Sequence, residues 1–552
     1  MGPRNVTLVL LTVILVSFTI LNSSGSGTQV NWIQVSSGKN HDASTDNLTP
    51  DPPSTAKNQV TIEVDFSKPV GRTRSLQQVH CGPIPRQKGA AQLHQQYMQI
   101  GVDCIRPMSA GPCFDIDLIF PNLQADPSIE SNYNFTATDT HVQAIRSVGA
   151  EVFYRLGYSW EPTSERAPRD YAKFAEICKR VVMHYNQGWA NGFNYGIRYW
   201  EVWNEPDLRI FWSGTPTEYF RLYDGVARTL KTVDSNVRVG GPALSGGPVF
   251  TNQGFLESFL QFCKVNESPL DFVSWHIYPE REGPQLVSER AYQVQLSLKK
   301  FGFDGVENIL GEWNIYPFGM ENLPEARPLY WNARGAAWTT SALVYLQNTP
   351  VTKAFWYRGD SDGGWPFGLF YDNGTFKKNG YAYLAMKKLL ETPVRLACNG
   401  SNNAGFAALA GKSGDGDAVR VLISDFDADC DQFTLVLRNH TWQGRTVRYE
   451  VYLLDDANNL ALVEKSEQPS STSITISRRI SASSMYLIIL AAEKATMETS
   501  ARSAVATTAP KTETSVGPVF TQIFLPVFVV GAIVALTALV VLRRGRKTIL
   551  GQ

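Results

Sequence analysis

Two glutamates end apolar runs that lie far apart in the chain: Glu205 in Trp203-Asn204-Glu205-Pro206-Asp207 and Glu312 in Gly311-Glu312-Trp313-Asn314. Two more such runs end in Trp275-His276-Ile277-Tyr278 and Phe355-Trp356-Tyr357-Arg358. A pair of carboxylates suits acid–base and nucleophilic work at an acetal carbon. One, protonated, gives the leaving oxygen its proton, and the other, ionised, attacks. Breaking a glycosidic bond with retention needs the two about 5–5.5 Å apart. Apolar neighbours raise the pKa of an acid, and Trp203 and Pro206 flank Glu205. A carboxylate held by hydrogen bonds stays charged, and Tyr278 could hold Glu312 in that way. Asn204 could bond the sugar 2-hydroxyl. Trp356 is a candidate stacking platform, with ordinary core packing as the competing reading. Arg106, Tyr154 and Arg358 also fall at strand ends, where they could brace the fold.

These residues can meet only if the runs that carry them are parallel strands of one sheet. From about 76 to 390 a short β-branched or aromatic run is repeatedly followed by a longer amphipathic one. The strand candidates are Leu76–Cys81, Asp103–Pro107, Glu151–Leu156, Tyr199–Asn204, Val237–Gly241, Asp271–His276, Asn308–Glu312 and Lys353–Arg358. Eight strands alternating with helices predict an α/β fold, a (β/α)8 TIM barrel, whose active site lies at the C-terminal strand ends. Glu205 and Glu312 would then end strands 4 and 7. An open doubly wound sheet is the alternative, but no GxGxxG or GxxxxGK[ST] loop follows any strand. From about 393 to 492 the runs alternate or are β-rich with Gly, Asp and Asn between them, the pattern of an accessory β-sandwich. Residues 60–66 alternate strictly and could add a strand to it.

The stretches Tyr199–Asp207, Asp271–Tyr278 and Leu310–Asn314 together resemble glycoside hydrolase family 39, which contains β-xylosidases and α-L-iduronidases. The resemblance covers about residues 60 to 490. It implies that Glu205 is the acid/base, Glu312 the nucleophile and Asn204 the 2-hydroxyl partner. It also implies that His276 and Tyr278 line the sugar subsite. One departure is visible. Family members carry a His after the Arg of the second-strand loop, whereas this chain reads Ile105-Arg106-Pro107-Met108-Ser109 and offers His80 on the first strand. The expected function is a retaining glycoside hydrolase of β-xylosidase type. The competing readings are a carbohydrate-binding surface protein and a transglycosylase on the same barrel.

The ends of the chain read differently. A basic start, 16 uncharged residues from Val6 to Leu21 and a small polar stretch predict a secretory signal. Ile523 to Leu542 is a 20-residue run without charge, followed by Arg543, Arg544, Arg546 and Lys547. That pattern predicts a single C-terminal transmembrane helix with a cytoplasmic tail. The organisation expected is a signal peptide (1–27), a disordered spacer (28–58), the barrel (59–392, with 59–72 able to join the sandwich) and the sandwich (393–495). A Ser/Thr-rich stalk (496–518), the membrane helix (519–542) and the tail (543–552) complete it. The catalytic domain would face outward at the cell surface. Beyond the signal region, six N-x-[ST] triplets, at Asn47, Asn134, Asn266, Asn373, Asn399 and Asn439, suit that exterior.

Lys plus Arg is 51 and Asp plus Glu is 51, so no electrostatic case exists for a nucleic-acid partner. Seven cysteines in 552 residues are too few for a disulfide scaffold. Cys104 with Cys113 and Cys398 with Cys430 could pair, or all could be buried thiols. No CxxC, HExxH or Cys/His cluster has zinc spacing, so no metal is expected. Two carboxylates and a water suffice for the chemistry, so no cofactor is expected either.

Overall fold

Inward-facing Cys104, Phe153, Tyr199, Phe272, Ile309 and Phe355 form one apolar layer inside a closed barrel of eight parallel strands. The computed structural model describes residues 58–107, 112–158, 167–246, 253–279, 283–315, 332–361 and 367–493. The barrel strands are β2 (Gln78–His80), β3 (Cys104–Arg106), β4 (Glu151–Leu156), β5 (Tyr199–Val202), β6 (Arg238–Leu244), β7 (Phe272–Ile277), β8 (Glu307–Trp313) and β9 (Val351–Trp356). Each pairs in parallel with the next, and β2 pairs with β9 to close the ring. Side chains alternate along a strand, so two residues past that layer the inward positions include Arg106, Arg155, Glu201, Gly311 and Tyr357. A polar layer therefore sits directly on an apolar one.

The helices between strands follow from local signals. In Pro216–Val233, Thr215 accepts the Glu218 N–H while Glu218 reaches back to the Thr215 N–H, a capping box, and Pro216 opens the first turn. Its buried stripe, Tyr219, Leu222, Tyr223, Val226 and Leu230, recurs at helical spacing. Tyr171–Gln187 starts on Asp170, whose carboxylate accepts the Lys173 N–H, and stops at Gly188 in the left-handed region.

The accessory domain departs from the expected two-sheet sandwich. It is one nine-stranded sheet of order β15-β14-β17-β12-β11-β10-β1-β13-β16. Its strands are β1 (Gln59–Arg72), β10 (Val394–Cys398), β11 (Phe406–Lys412), β12 (Ala418–Asp425), β13 (Gln432–Arg438), β14 (Thr446–Leu454), β15 (Asn459–Pro469), β16 (Ser473–Arg479) and β17 (Ser484–Ala492). The sheet curls over a single core. Phe433 on β13 meets Tyr486 on β17 with ring centroids 5.4 Å apart, although four strands separate them. Arg478 and Glu464 pair the two edge strands, β16 and β15. Twist accumulated over nine strands brings the ends of one sheet face to face, which supplies a sandwich-like core without a second sheet. β1 lies inside this sheet, antiparallel to β10 and parallel to β13.

The other face of the sheet packs on the barrel. The helix Ala333–Leu346 is buried along its whole length except at Arg334. Its Ser341 hydroxyl meets the Gly405 carbonyl (2.8 Å) and the Ser424 hydroxyl (3.0 Å), and Tyr345 donates to the Phe406 carbonyl. All seven cysteines are free thiols, so neither suggested disulfide forms. Cys104 is taken up by the barrel's inner layer. Among the described residues no helix is long and apolar enough to cross a membrane. The expected signal, the spacer up to residue 57, the stalk, the membrane helix and the tail lie outside the described residues.

Candidate active site

The polar layer is organised around Arg106, a guanidinium with no solvent exposure at the end of β3. Its Nε and Nη2 both donate to Glu201 Oε2, at 2.7 and 2.6 Å. Nη2 also donates to Asn204 Oδ1 (2.8 Å). Nη1 donates to Glu312 Oε1 (2.6 Å) and lies 2.9 Å from His80 Nε2. Charge buried this deeply is tolerated only when paired and hydrogen-bonded. The guanidinium fork thus ties β2, β3, β5 and β8 to one point.

Glu312 faces this cluster because strand alternation resets at its position. Leu310 and Trp313 both lie in the outer core, yet Glu312 reaches inward to Arg106 and His80. The β8–β9 register shifts between Leu310 and Trp313, and the β7–β8 register shifts between Trp275 and His276. Such irregularities re-aim side chains at barrel rims. Tyr278 then donates to Glu312 Oε2 at 2.6 Å. Gly311 has a steric reason to be glycine: a Cβ there would lie 3.3 Å from His276 Nε2.

Glu205 reaches the same space from the loop after β5. Trp203 and Glu205 have φ of 76° and 45°, a region costly for side-chain-bearing residues, and such strain concentrates at functional sites. The surroundings hold the turn: Trp203 N–H donates to the Leu156 carbonyl (2.7 Å) and Glu205 N–H to the Ala243 carbonyl (2.9 Å). Glu205 Oε1 meets His276 Nδ1 at 2.7 Å, and His276 Nδ1 is 3.7 Å from Glu312 Oε2. One oxygen of each glutamate and this nitrogen lie within 4.8 Å of one another. That trio is close enough to hold an ion. Its donor atoms are already engaged: Nδ1 by Glu205, and Glu312 by Arg106 and Tyr278.

The two carboxyls are driven in opposite directions. Burial raises Glu205 above the usual range, and nearby Glu312 adds to this, while His276 offsets part of it. Burial pushes Glu312 upward too, but His276, His80 and Arg106 outweigh it and hold Glu312 well below that range. Burial drives His80 down to about 4, so it is neutral at pH 7. Burial also lowers His276, but the two glutamates overcome it and its pKa is raised.

Of the residues singled out from sequence, Asn204, Glu205, His276, Tyr278 and Glu312 converge. Asn204 keeps its amide Nδ2 unpartnered while its oxygen is held. Trp356 does not join them, which corrects its reading as a platform. It is fully buried, donates to the Phe367 carbonyl and packs edge-on against Trp313, 4.9 Å between centroids. The next residue, Tyr357, is the half-buried ring at the mouth. It lies 4.9 Å from His80 and 6.0 Å from Tyr278. Phe355, inside the barrel, was the available signal, since Tyr357 shares its face and Trp356 does not. Arg106, read as a brace, and Glu201, not read at all, are the other omissions. Arg358 is paired through two bonds to buried Asp360 (2.8 and 2.6 Å).

An eight-stranded barrel with a carboxylate at the ends of its fourth and seventh strands has the architecture of the barrel glycosidases. The sequence profile of glycosyl hydrolases family 39 matches residues 61–344. A β-xylosidase of Geobacillus stearothermophilus is 33% identical over 193 residues, 32% of this chain and 36% of that protein. A β-xylosidase of Caldicellulosiruptor saccharolyticus is 26% identical over 238 residues, 40% of this chain and 46% of that one. The chain thus spans less than half the length of these curated relatives. A glucosidase structure from Croceicoccus marinus matches with a TM-score of 0.69 at 27% identity, over 79% of this chain and 99% of that one. A monomeric β-xylosidase from Caulobacter crescentus shares the fold, with a TM-score of 0.63 at 17% identity over 78% and 99% of the two chains. The chain belongs to glycosyl hydrolases family 39.

Proposed function

We propose that this chain is a retaining glycosidase acting on a neutral pyranoside, a β-xyloside first and a glucoside second. The observation that carries this reading is the opposed electrostatics of two carboxyls whose oxygens approach within 4.8 Å. Glu205, kept protonated, would give its proton to the leaving oxygen as Glu312 attacks the anomeric carbon. Glu205, now ionised, would then take a proton from water as that water displaces the sugar from Glu312. The close spacing favours retention over inversion, which needs room for a water between the carboxyls. The names of the relatives support the substrate class. A uronide would want an uncommitted cation beside the sugar, and among the described residues Arg106, Arg155 and Arg358 are each paired with a carboxylate.

The proposal extends to location: an exported protein held at the cell surface by residues 519–542. The full chain should cleave an aryl xyloside, with activity in the membrane fraction, and ending the chain at residue 518 should release it. Glu312→Gly should abolish turnover, and azide should restore it in part by giving the glycosyl azide of inverted configuration. A folded parent that cleaves no aryl glycoside would overturn the reading.

A further inference from the structure

Glu201 is a carboxylate with no exposed surface, and the reaction above does not use it. It lies inside the barrel on β5, four residues before Glu205 and level with Arg155 of β4. Arg155 is itself held by Asp115, so the counter-charge of Glu201 comes from Arg106. That pairing is one-sided. Both Nε and Nη2 of Arg106 fall on Oε2, which leaves only Nη1 for Glu312. A guanidinium prefers to present two parallel N–H groups to one carboxylate. Were its Nε–Nη2 edge free, Arg106 could take Glu312 in the bidentate mode. Glu312 would then be a weaker nucleophile, and its attacking oxygen would be turned aside. Glu201 Oε1 has no partner and faces Gly311, 3.7 Å from where a Cβ would be. His276 Nε2, also buried and unpartnered, borders the same spot. The negative charge of Glu201 therefore acts on Glu312 through Arg106 and on Glu205 through His276.

We propose that Glu201 is a positioning residue that restricts Arg106 to a single hydrogen bond with Glu312 and sets the charge balance between the two catalytic glutamates. This rests on the glycosidase reading of the site, so the parent protein is assayed first. An inactive parent sinks that reading, whereas the behaviour of the variants tests this one. Glu201→Gln keeps the shape and removes the charge. Its kcat on an aryl xyloside should fall about 10²-fold or more, with KM changed far less. Both limbs of the kcat/KM pH profile should move toward acid by about one pH unit, because removing a buried negative charge favours ionisation of both glutamates. The titratable and charged groups that face this pair are Arg106, His80, His276, Tyr278, Asp207 and Glu201, and only the last is altered. A kcat loss with both limbs unmoved would leave Glu201 a packing residue and overturn the proposal. If Glu201→Gln does not fold, Glu201→Asp decides. It keeps the charge but draws back from the Nε–Nη2 edge of Arg106, so kcat should fall and the acid limb alone should move to lower pH as Arg106 takes Glu312 more tightly. An unchanged kcat or an unmoved acid limb would overturn the proposal.

Discussion

The hydrogen bond from Tyr278 to Glu312 stabilises the ionised carboxylate. Removing it in Tyr278→Phe should raise the pKa of Glu312, move the acid limb of activity to higher pH and lower kcat by about 10- to 100-fold. In the parent the acid limb belongs to Glu312 and should lie below the usual carboxylate range. The alkaline limb belongs to Glu205 and should lie above it. A titration of kcat/KM against pH checks both signs. The two glutamates were legible from sequence because each ends a run too apolar to be a surface strand. Arg106 was not, since β3 is only three residues long and a cation at its end looks like any barrel brace. Residue type alone does not separate Trp356 from Tyr357, because both rings fall at the end of the eighth apolar run. Periodicity anchored on Phe355 would have favoured the tyrosine.

At the scale of elements, the eight barrel strands were legible from their alternation with helices. Three sheet strands were not. β11, Phe-Ala-Ala-Leu-Ala-Gly-Lys, is rich in residues that carry no strand preference. β10 is short, and β15 is a largely exposed edge whose Leu-Ala-Leu-Val-Glu-Lys run reads equally as helix. Strand pairing decides them, and pairing is not a local property. β12 ends on Asp425, which has no exposed surface and one carboxylate oxygen without a partner. Burial pushes its pKa up to about 7. A carboxyl whose pKa is higher folded than unfolded stabilises the fold fully below its unfolded value. It loses that contribution as pH rises through about 7. Stability should therefore decline between about pH 4 and 7. Asp425→Asn keeps an acceptor for the Ala428 N–H and should flatten the decline, gaining about 2 kcal/mol at pH 8 by denaturant unfolding.

For the whole molecule, the buried helix Ala333–Leu346 makes barrel and sheet depend on each other. Deleting residues 394–493 would bare the face of this helix that packs on β11, β12 and β17, and the face of the helix Lys378–Leu389 that packs on β12, β14 and β15. The remaining barrel should aggregate, and the intact chain should show one calorimetric transition for barrel and sheet together. Expectation from sequence ran out at this scale for a simple reason. Two sheets and one curled sheet bury the same alternating positions, so alternation cannot tell them apart.

The place of β1 has a consequence for biosynthesis. The strand Val-Thr-Ile-Glu-Val-Asp-Phe leaves the ribosome before any of the barrel, yet its partners are the late strands β10 and β13, where Val64 pairs with Cys398 and Leu437. At about 5–20 residues per second it waits tens of seconds with both edges unpaired while the whole barrel is made. An alternating strand in that condition is a template for intermolecular pairing. The nascent chain is therefore open to pairing with other chains through β1 until the far end of its own sheet arrives.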